Sequence, residues 1–240
     1  NIKFHKMKKL KQNTSDLIMI EPMHFGFNTE TAEDNHYQIK DDLISKIEIK
    51  QKAIKEFNEL VKKIKEENIS VRVFGDEKNI ITTDSVFPNN WISLHKDGKL
   101  ILYPMFSKNR RKERQNSFIK SYLNKNYLIN ETIDLTDWEK KEKFLEGTGS
   151  MIFDRINKIC FAAISNRTSS LVLKELCNML HYDLFMFKAN QTYNNNRVPI
   201  YHTNVMMSLG EKFVVVCLES IDDISEKSKI ISLLKKLKKE

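Results

Sequence analysis

Three cysteines, four prolines and six glycines are all that 240 residues contain of the types that punctuate or staple a chain. No Pro-, Gly- or Ser-rich stretch interrupts the composition, so nothing marks an internal linker. The chain reads as a basic extension over 1–15 followed by one domain over 16–240. Cys160, Cys177 and Cys217 form no CxxC pair, and none stands beside a histidine at metal-ligand spacing. That excludes a disulfide framework and a Cys/His metal site, and because each lies in an apolar run we expect all three as buried reduced thiols. No apolar run approaches the ~20 residues of a membrane span. The short basic start, Asn1 to Lys11, is not followed by an apolar stretch of ~7–15 residues as in a secretory signal. No membrane partner and a cytoplasmic location are the expectation. Forty basic against 32 acidic residues give a formal charge of +8, but the lysines are spread and mixed with acids, as in Lys62-Lys63-Ile64-Lys65-Glu66-Glu67. Basic residues cluster only at Arg110 to Arg114 and at the carboxyl end. This is a solvated surface, and no nucleic-acid partner is expected.

What the chain does have is self-similarity. Phe87-Pro88-Asn89-Asn90-Trp91-Ile92-Ser93-Leu94 leads to a turn at Lys96-Asp97-Gly98-Lys99, an apolar run Leu100 to Tyr103 and a polar helix from about Asn109. Leu145-Glu146-Gly147-Thr148-Gly149-Ser150-Met151-Ile152-Phe153 leads to a turn at Asp154 to Lys158, the run Ile159 to Ile164 and a helix from about Thr168. Tyr201-His202-Thr203-Asn204-Val205-Met206-Met207 leads to a turn at Leu209-Gly210-Glu211-Lys212, the run Phe213 to Leu218 and a helix from about Asp222. Short apolar runs bounded by Gly, Asp and Asn turns are hairpin strands. Phe87 to Leu145 is 58 positions and Leu145 to Tyr201 is 56, so the unit recurs about every 57 residues. Such a period implies an α/β propeller of three-strand-plus-helix blades. Val71-Arg72-Val73-Phe74 and Leu184-Phe185-Met186-Phe187 are read as strands completing the blades whose hairpins follow them. Upstream, Asp16 to Ile20 reads as a strand, and Leu43 to Glu67 carries apolar residues at helical spacing. About four blades are present. A further hairpin is expected near position 258, and with Asn1 as first residue and Met7 as a plausible native start we expect a fragment, with an open ring prone to dimerise or aggregate.

Aligned on their turns, the units bring three polar residues into one register: Asn90, Glu146 and His202 lie 8 positions before Gly98, Asp154 and Gly210. One polar side chain per blade, facing a common axis, is a way to converge an acid, a base and hydrogen-bonding groups.

These segments, with Ser165-Asn166-Arg167-Thr168, Asn28-Thr29-Glu30-Thr31-Ala32, Tyr103-Pro104-Met105 and Cys217-Leu218-Glu219-Ser220-Ile221, resemble signature segments of the pentein superfamily, in its amidinotransferase-like, citrulline-utilisation hydrolase branch. The resemblance runs from about Asp16 to Ile221. It implies a five-bladed fold, a small-molecule substrate, no metal and no cofactor. It further implies that Glu146 is the carboxylate that binds substrate nitrogen and orients the histidine, and that His202 is the general acid/base. Arg167 would grip the substrate's α-carboxylate bidentately, Arg110 or Arg111 would share that task, and Asn28 would lie among the substrate contacts. Deiminases of the superfamily place carboxylates where this chain has Asn90 and Asn204. Amides in their place favour the neutral ureido group of citrulline over a guanidinium. The family's nucleophile is a cysteine near the carboxyl end, and neither Cys217 nor Cys160 is expected to replace it. Two readings follow, a citrulline hydrolase or related guanidino-modifying enzyme, and a citrulline- or arginine-binding module without the nucleophile.

Overall fold

The computed structural model describes residues 11–41, 43–76 and 80–240. The basic stretch to residue 10, with Met7, lies outside them. The elements run β1 (Asp16–Ile20), α1 (Lys46–Glu66), β2 (Ser70–Phe74), β3 (Ile92–Leu94), β4 (Lys99–Leu102), α2 (Ser117–Asn126), β5 (Glu131–Asp134), α3 (Gly147–Ser150), β6 (Ile152–Asp154), β7 (Ile159–Ala163), α4 (Ser170–Leu180), β8 (Asp183–Phe187), β9 (Asn190–Tyr193), β10 (Asn196–Pro199), β11 (Met207–Leu209), β12 (Val214–Val216) and α5 (Ile224–Lys236).

The recurring unit is an antiparallel hairpin, a helix, and a strand that returns parallel to the hairpin's second strand. β3 and β4 are followed by α2 and by β5, which pairs parallel to β4; β6 and β7 are followed by α4 and by β8, parallel to β7. A parallel neighbour needs a crossover of this length, and the helix supplies it. This corrects the blade boundaries read from the sequence. Leu184 to Phe187 closes the preceding hairpin rather than opening the next, Val71 to Phe74 pairs parallel with β1 across α1, and β5 was not foreseen because Glu131-Thr132-Ile133-Asp134 has a single apolar residue.

Side-chain parity explains how the sheets stack. All five residues of β7 are buried, yet they face two ways: Cys160 and Ala162 join a core with Ile101, Ile133, Phe153 and the α4 residues Val172, Leu173, Leu176 and Leu180, while Ile159, Phe161 and Ala163 join one with Phe187, Ile200, Met207 and the α5 residues Ile230 and Leu234. In β4, likewise, Leu100 packs with Ile20, Trp91 and the α2 residues Ile119 and Leu123, while the next residue, Ile101, faces α4. The helices α2, α4 and α5 therefore each fill the gap between two sheets. The 21-residue α1 begins at Ser45, whose hydroxyl accepts from the Glu48 amide, and buries only Phe57 and Val61. No helix among the described residues is long and apolar enough to cross a membrane.

Cys160 and Cys177 are buried as expected, but Cys217 is exposed. Lying in an apolar run does not bury every member of it. Val214 and Val216 are half-buried, so Val215 and Cys217 point the other way, toward solvent.

Candidate active site

Glu146 and His202 each stand immediately before a short helical turn, α3 and Thr203–Val205, where the chain leaves one sheet for the next. Two glycines allow the backbone there to close up. Gly147 has φ +45° and lies so close to the Asn89 carbonyl that a Cβ would collide with it, and Gly149 leaves the space into which Asn90 and His202 lean. The Glu146 amide donates to Ser150 Oγ at 3.0 Å, and Thr203 Oγ donates to the Ser150 carbonyl at 2.6 Å while accepting from the Ala163 amide at 2.9 Å. These bonds fasten the two turns together.

At the centre His202 Nε2 lies 2.7 Å from Glu146 Oε2, and the other carboxylate oxygen accepts from the Phe106 amide at 2.9 Å. Both residues are buried, Glu146 completely. Burial alone would raise the Glu146 carboxyl, but the His202 hydrogen bond and the charges of Arg167, His202 and Arg110 overcome it and hold the group well below the usual carboxylate range. Burial lowers His202, and Arg167 and Arg110 add to that effect against the pull of Glu146. The pair is thus an ionised carboxylate and a neutral imidazole. A neutral ring bonded to a carboxylate through Nε2 carries its proton there and leaves Nδ1 as a lone-pair acceptor, the state a general base requires.

Two guanidiniums flank the pair. Arg167 Nη1 is 3.5 Å and Arg110 Nη1 3.9 Å from Glu146 Oε2. Arg110 also donates to Asn90 Oδ1 at 2.8 Å and holds Glu113 bidentately at 2.8 and 3.0 Å. Arg167 is held bidentately by Asp34 and lies over the Tyr201 ring, 4.7 Å from its centroid. Five of the sequence candidates, Asn90, Arg110, Glu146, Arg167 and His202, therefore meet.

Three others do not. Arg111 donates to the carbonyls of Met105 and Phe106 and pairs with Glu139 at 3.3 Å, fastening the loop beneath the site. Asn204 is exposed, in a shallow groove beside Cys217. Asn28 organises the loop of residues 21–41: its side chain accepts from the Glu30 amide and donates to Asp84 at 2.6 Å, and its backbone is bracketed by Gln38. The carboxylates Asp34, Asp84 and Glu113 were missed. Only Glu113 carried a local signal, three residues after Arg110 within a helical turn. Among the described residues no group of His, Cys, Asp or Glu is placed to hold a metal ion.

The sequence model of the family described as N,N dimethylarginine dimethylhydrolase, eukaryotic, matches residues 21–240. The chain belongs to this family. No curated protein matched it in sequence. Among solved structures, it resembles the N-terminal domain of ArgZ, an arginine dihydrolase of the ornithine-ammonia cycle in cyanobacteria, bound to substrate: TM-score 0.64, 16% identity, covering 91% of this chain and 71% of that one. It spans only 28% of full-length ArgZ, at TM-score 0.62 and 16% identity over 91% of this chain. AgrE in complex with ornithine and NAD+ gives TM-score 0.65 at 18% identity, over 92% of this chain and 29% of that one. A dimethylarginine dimethylaminohydrolase adduct gives 0.58 at 10%, over 89% and 73%. These are guanidino-modifying enzymes of the pentein superfamily, and this family member shares their α/β fold.

Proposed function

We propose that this family member binds an arginine-like α-amino acid and carries the acid–base and binding half of a site that cleaves a C–N bond at the guanidino carbon. The buried Glu146–His202 pair between Arg110 and Arg167 carries this reading. Glu146 accepts from a substrate nitrogen and fixes the imidazole. His202 shuttles the proton: its neutral Nδ1 takes the proton of the attacking thiol as sulfur bonds to the guanidino carbon, delivers it to the departing ammonia or amine as the C–N bond breaks, then deprotonates the water that resolves the covalent intermediate and returns that proton to the released thiolate. Arg167 takes the α-carboxylate. The thiolate must come from elsewhere than the three cysteines here, since Cys160 and Cys177 lie in the core and Cys217 is exposed beside β12. That placement supports a second reading, a binding module without turnover. The stacking of α2, α4 and α5 between sheets supports a propeller-like order within one domain over 16–240.

The charge balance favours a cationic substrate over citrulline. Asn90 spends its carbonyl oxygen on Arg110 and Asn204 stands outside, so the two amides that pointed to a ureido group do not define the pocket. Glu146, Asp34, Asp84 and Glu113 set four carboxylates against two guanidiniums. Burial, opposed by Arg110, brings Glu113 to about 7, which leaves between one and two negative charges in excess at neutral pH. Calorimetric titration should show L-arginine and its N-methylated forms binding at least ~10-fold tighter than L-citrulline, with binding lost in Arg167→Ala, a gap of about 1.4 kcal/mol. Tighter citrulline binding would sink the charge argument, and absence of binding by all three would sink the function. Ammonia or methylamine release alongside binding separates the enzyme from the module.

A further inference from the structure

Arg167, assigned above to the substrate carboxylate, is not free. Its Nε donates to Asp34 Oδ2 at 2.8 Å, its Nη2 pairs with Asp34 Oδ1, and Nη2 reaches the Thr31 carbonyl at 3.4 Å. Two parallel N–H donors meeting two carboxylate oxygens is the fork a guanidinium presents to any carboxylate. Asp34 lies on the irregular loop 21–41, which crosses over the site and touches the far side through rings: His36 stacks on Tyr193 at 3.9 Å, and Tyr37 tilts against Tyr201 at 6.1 Å. Tyr201 in turn packs against His202 at 4.6 Å. Glu30 on the same loop accepts from the Asn109 amide at 2.9 Å. The latch is accessible from outside, since the Asp34 side chain is 18% exposed, whereas Arg167 beneath it is 2% exposed.

We infer that Asp34 is a resident stand-in for the substrate's α-carboxylate, so that a ligand opens the loop over His202 and Glu146 only by bringing a carboxylate of its own to Arg167. Exchanging one carboxylate for another never leaves the buried guanidinium unpaired, which would be the costly state. A guanidine without a carboxylate has nothing to exchange and faces a loop that stays latched. Asp34 thereby selects α-amino acids over decarboxylated analogues. This rests on the reading of Arg167 as the carboxylate grip, and a loop without regular structure is the kind of segment that can move at low cost.

The test compares the wild-type protein, Asp34→Asn and Asp34→Glu, using amide hydrogen exchange over residues 28–38 and titration with L-arginine and with agmatine, its decarboxylated analogue. Asp34→Asn keeps the side chain's shape and removes the charge. We expect its loop amides to exchange at least ~10-fold faster in the free protein and L-arginine to bind roughly 10-fold tighter, with agmatine binding weakly and unchanged. Asp34→Glu should restore wild-type exchange and affinity. In the wild-type protein, L-arginine should speed exchange at residue 34 and agmatine should not, a readout that stands even if a variant fails to fold. Unchanged exchange and unchanged arginine affinity in a folded Asp34→Asn protein would overturn the latch. Faster loop exchange with no L-arginine binding to any form would overturn the gate by removing its ligand, and would place the error in the reading of Arg167 rather than in the contact.

Discussion

A methyl group at position 149 should dismantle the centre without touching a charged residue. The ideal Cβ of an alanine there falls 2.6 Å from Asn90 Nδ2 and 2.7 and 2.8 Å from His202 Nδ1 and Cε1, against a comfortable separation of about 3.5 Å. Both neighbours must retreat, each by roughly 0.8 Å or more, and neither is a loose end. Asn90 is tied through Oδ1 to Arg110 at 2.8 Å, and His202 through Nε2 to Glu146 at 2.7 Å. Overpacking alone costs about 1–3 kcal/mol. Loosening a buried hydrogen bond to a charged group adds about 1.5–3 kcal/mol. Gly149→Ala should therefore lose on the order of 3–5 kcal/mol, a fall in melting temperature of roughly 10 °C for a chain of this size. The control is Gly26→Ala, where an added Cβ meets nothing within 4 Å. Urea and thermal unfolding of the two variants give the difference, and imidazole NMR of His202 reports whether the ring has moved. If the two variants agree within about 1 kcal/mol and the His202 resonances stay in place, the packing argument fails, and with it the claim that these turns are built to hold this pair.

Stability should carry two opposed pH slopes. Burial, helped by Arg155, depresses His95 to about 4, so its contribution is present above its ordinary value of 6.5 and is lost as pH falls toward 4; Glu113, raised to about 7, contributes fully below 4.5 and loses that contribution as pH climbs to about 7. Each shift corresponds to ~3 kcal/mol. Relative to wild type, His95→Gln should gain stability as pH drops from 6.5 to 4, and Glu113→Gln should gain as pH rises from 4.5 to 7; parallel urea-midpoint curves would refute both. A thiol-reactive chromophore should titrate one cysteine quickly and two only on unfolding, with Cys217→Ser removing the fast one, because Cys160 and Cys177 are buried. Arg110→Lys should cost about 2–4 kcal/mol and weaken ligand binding, since a lysine cannot serve Glu113 and Asn90 together, while Arg111→Lys should cost less than about 1.5 kcal/mol and leave binding intact, as measured by unfolding and calorimetry.

The hairpins were legible because their strands are apolar and their turns carry Gly, Asp or Asn at a steady period. The returning strands were half legible. Asp183 to Phe187 is apolar enough to be seen, but which hairpin it completes depends on a pairing partner that no local pattern names, and β5 hides behind a single buried isoleucine. The hairpin of β9 and β10 escaped notice although its turn is written plainly: Asn194 and Asn195 both take positive φ, which the two-residue turn demands and asparagine tolerates.

The shared register of Asn90, Glu146 and His202 picks out three residues that the fold does bring together, though through an imperfect alignment. Glu146 and His202 precede their helical turns, whereas Asn90 ends its own, so the structural counterpart of the other two is Phe87. Gly98 sits at the close of its turn and Gly210 at the opening, which makes equal spacing to the two a coincidence of turn anatomy. The convergence still holds, since each of these segments is where the chain passes from one sheet to the next. What register could not supply was the charge environment. Asp34 and Asp84 reach the arginines from irregular segments with no period to count, and on the function proposed above it is they, with Glu113, that favour a cationic group over a neutral ureido one. The repeat, therefore, sets where the candidate site lies, and on the function proposed above the unrepeated loops set which substrate charge it accepts.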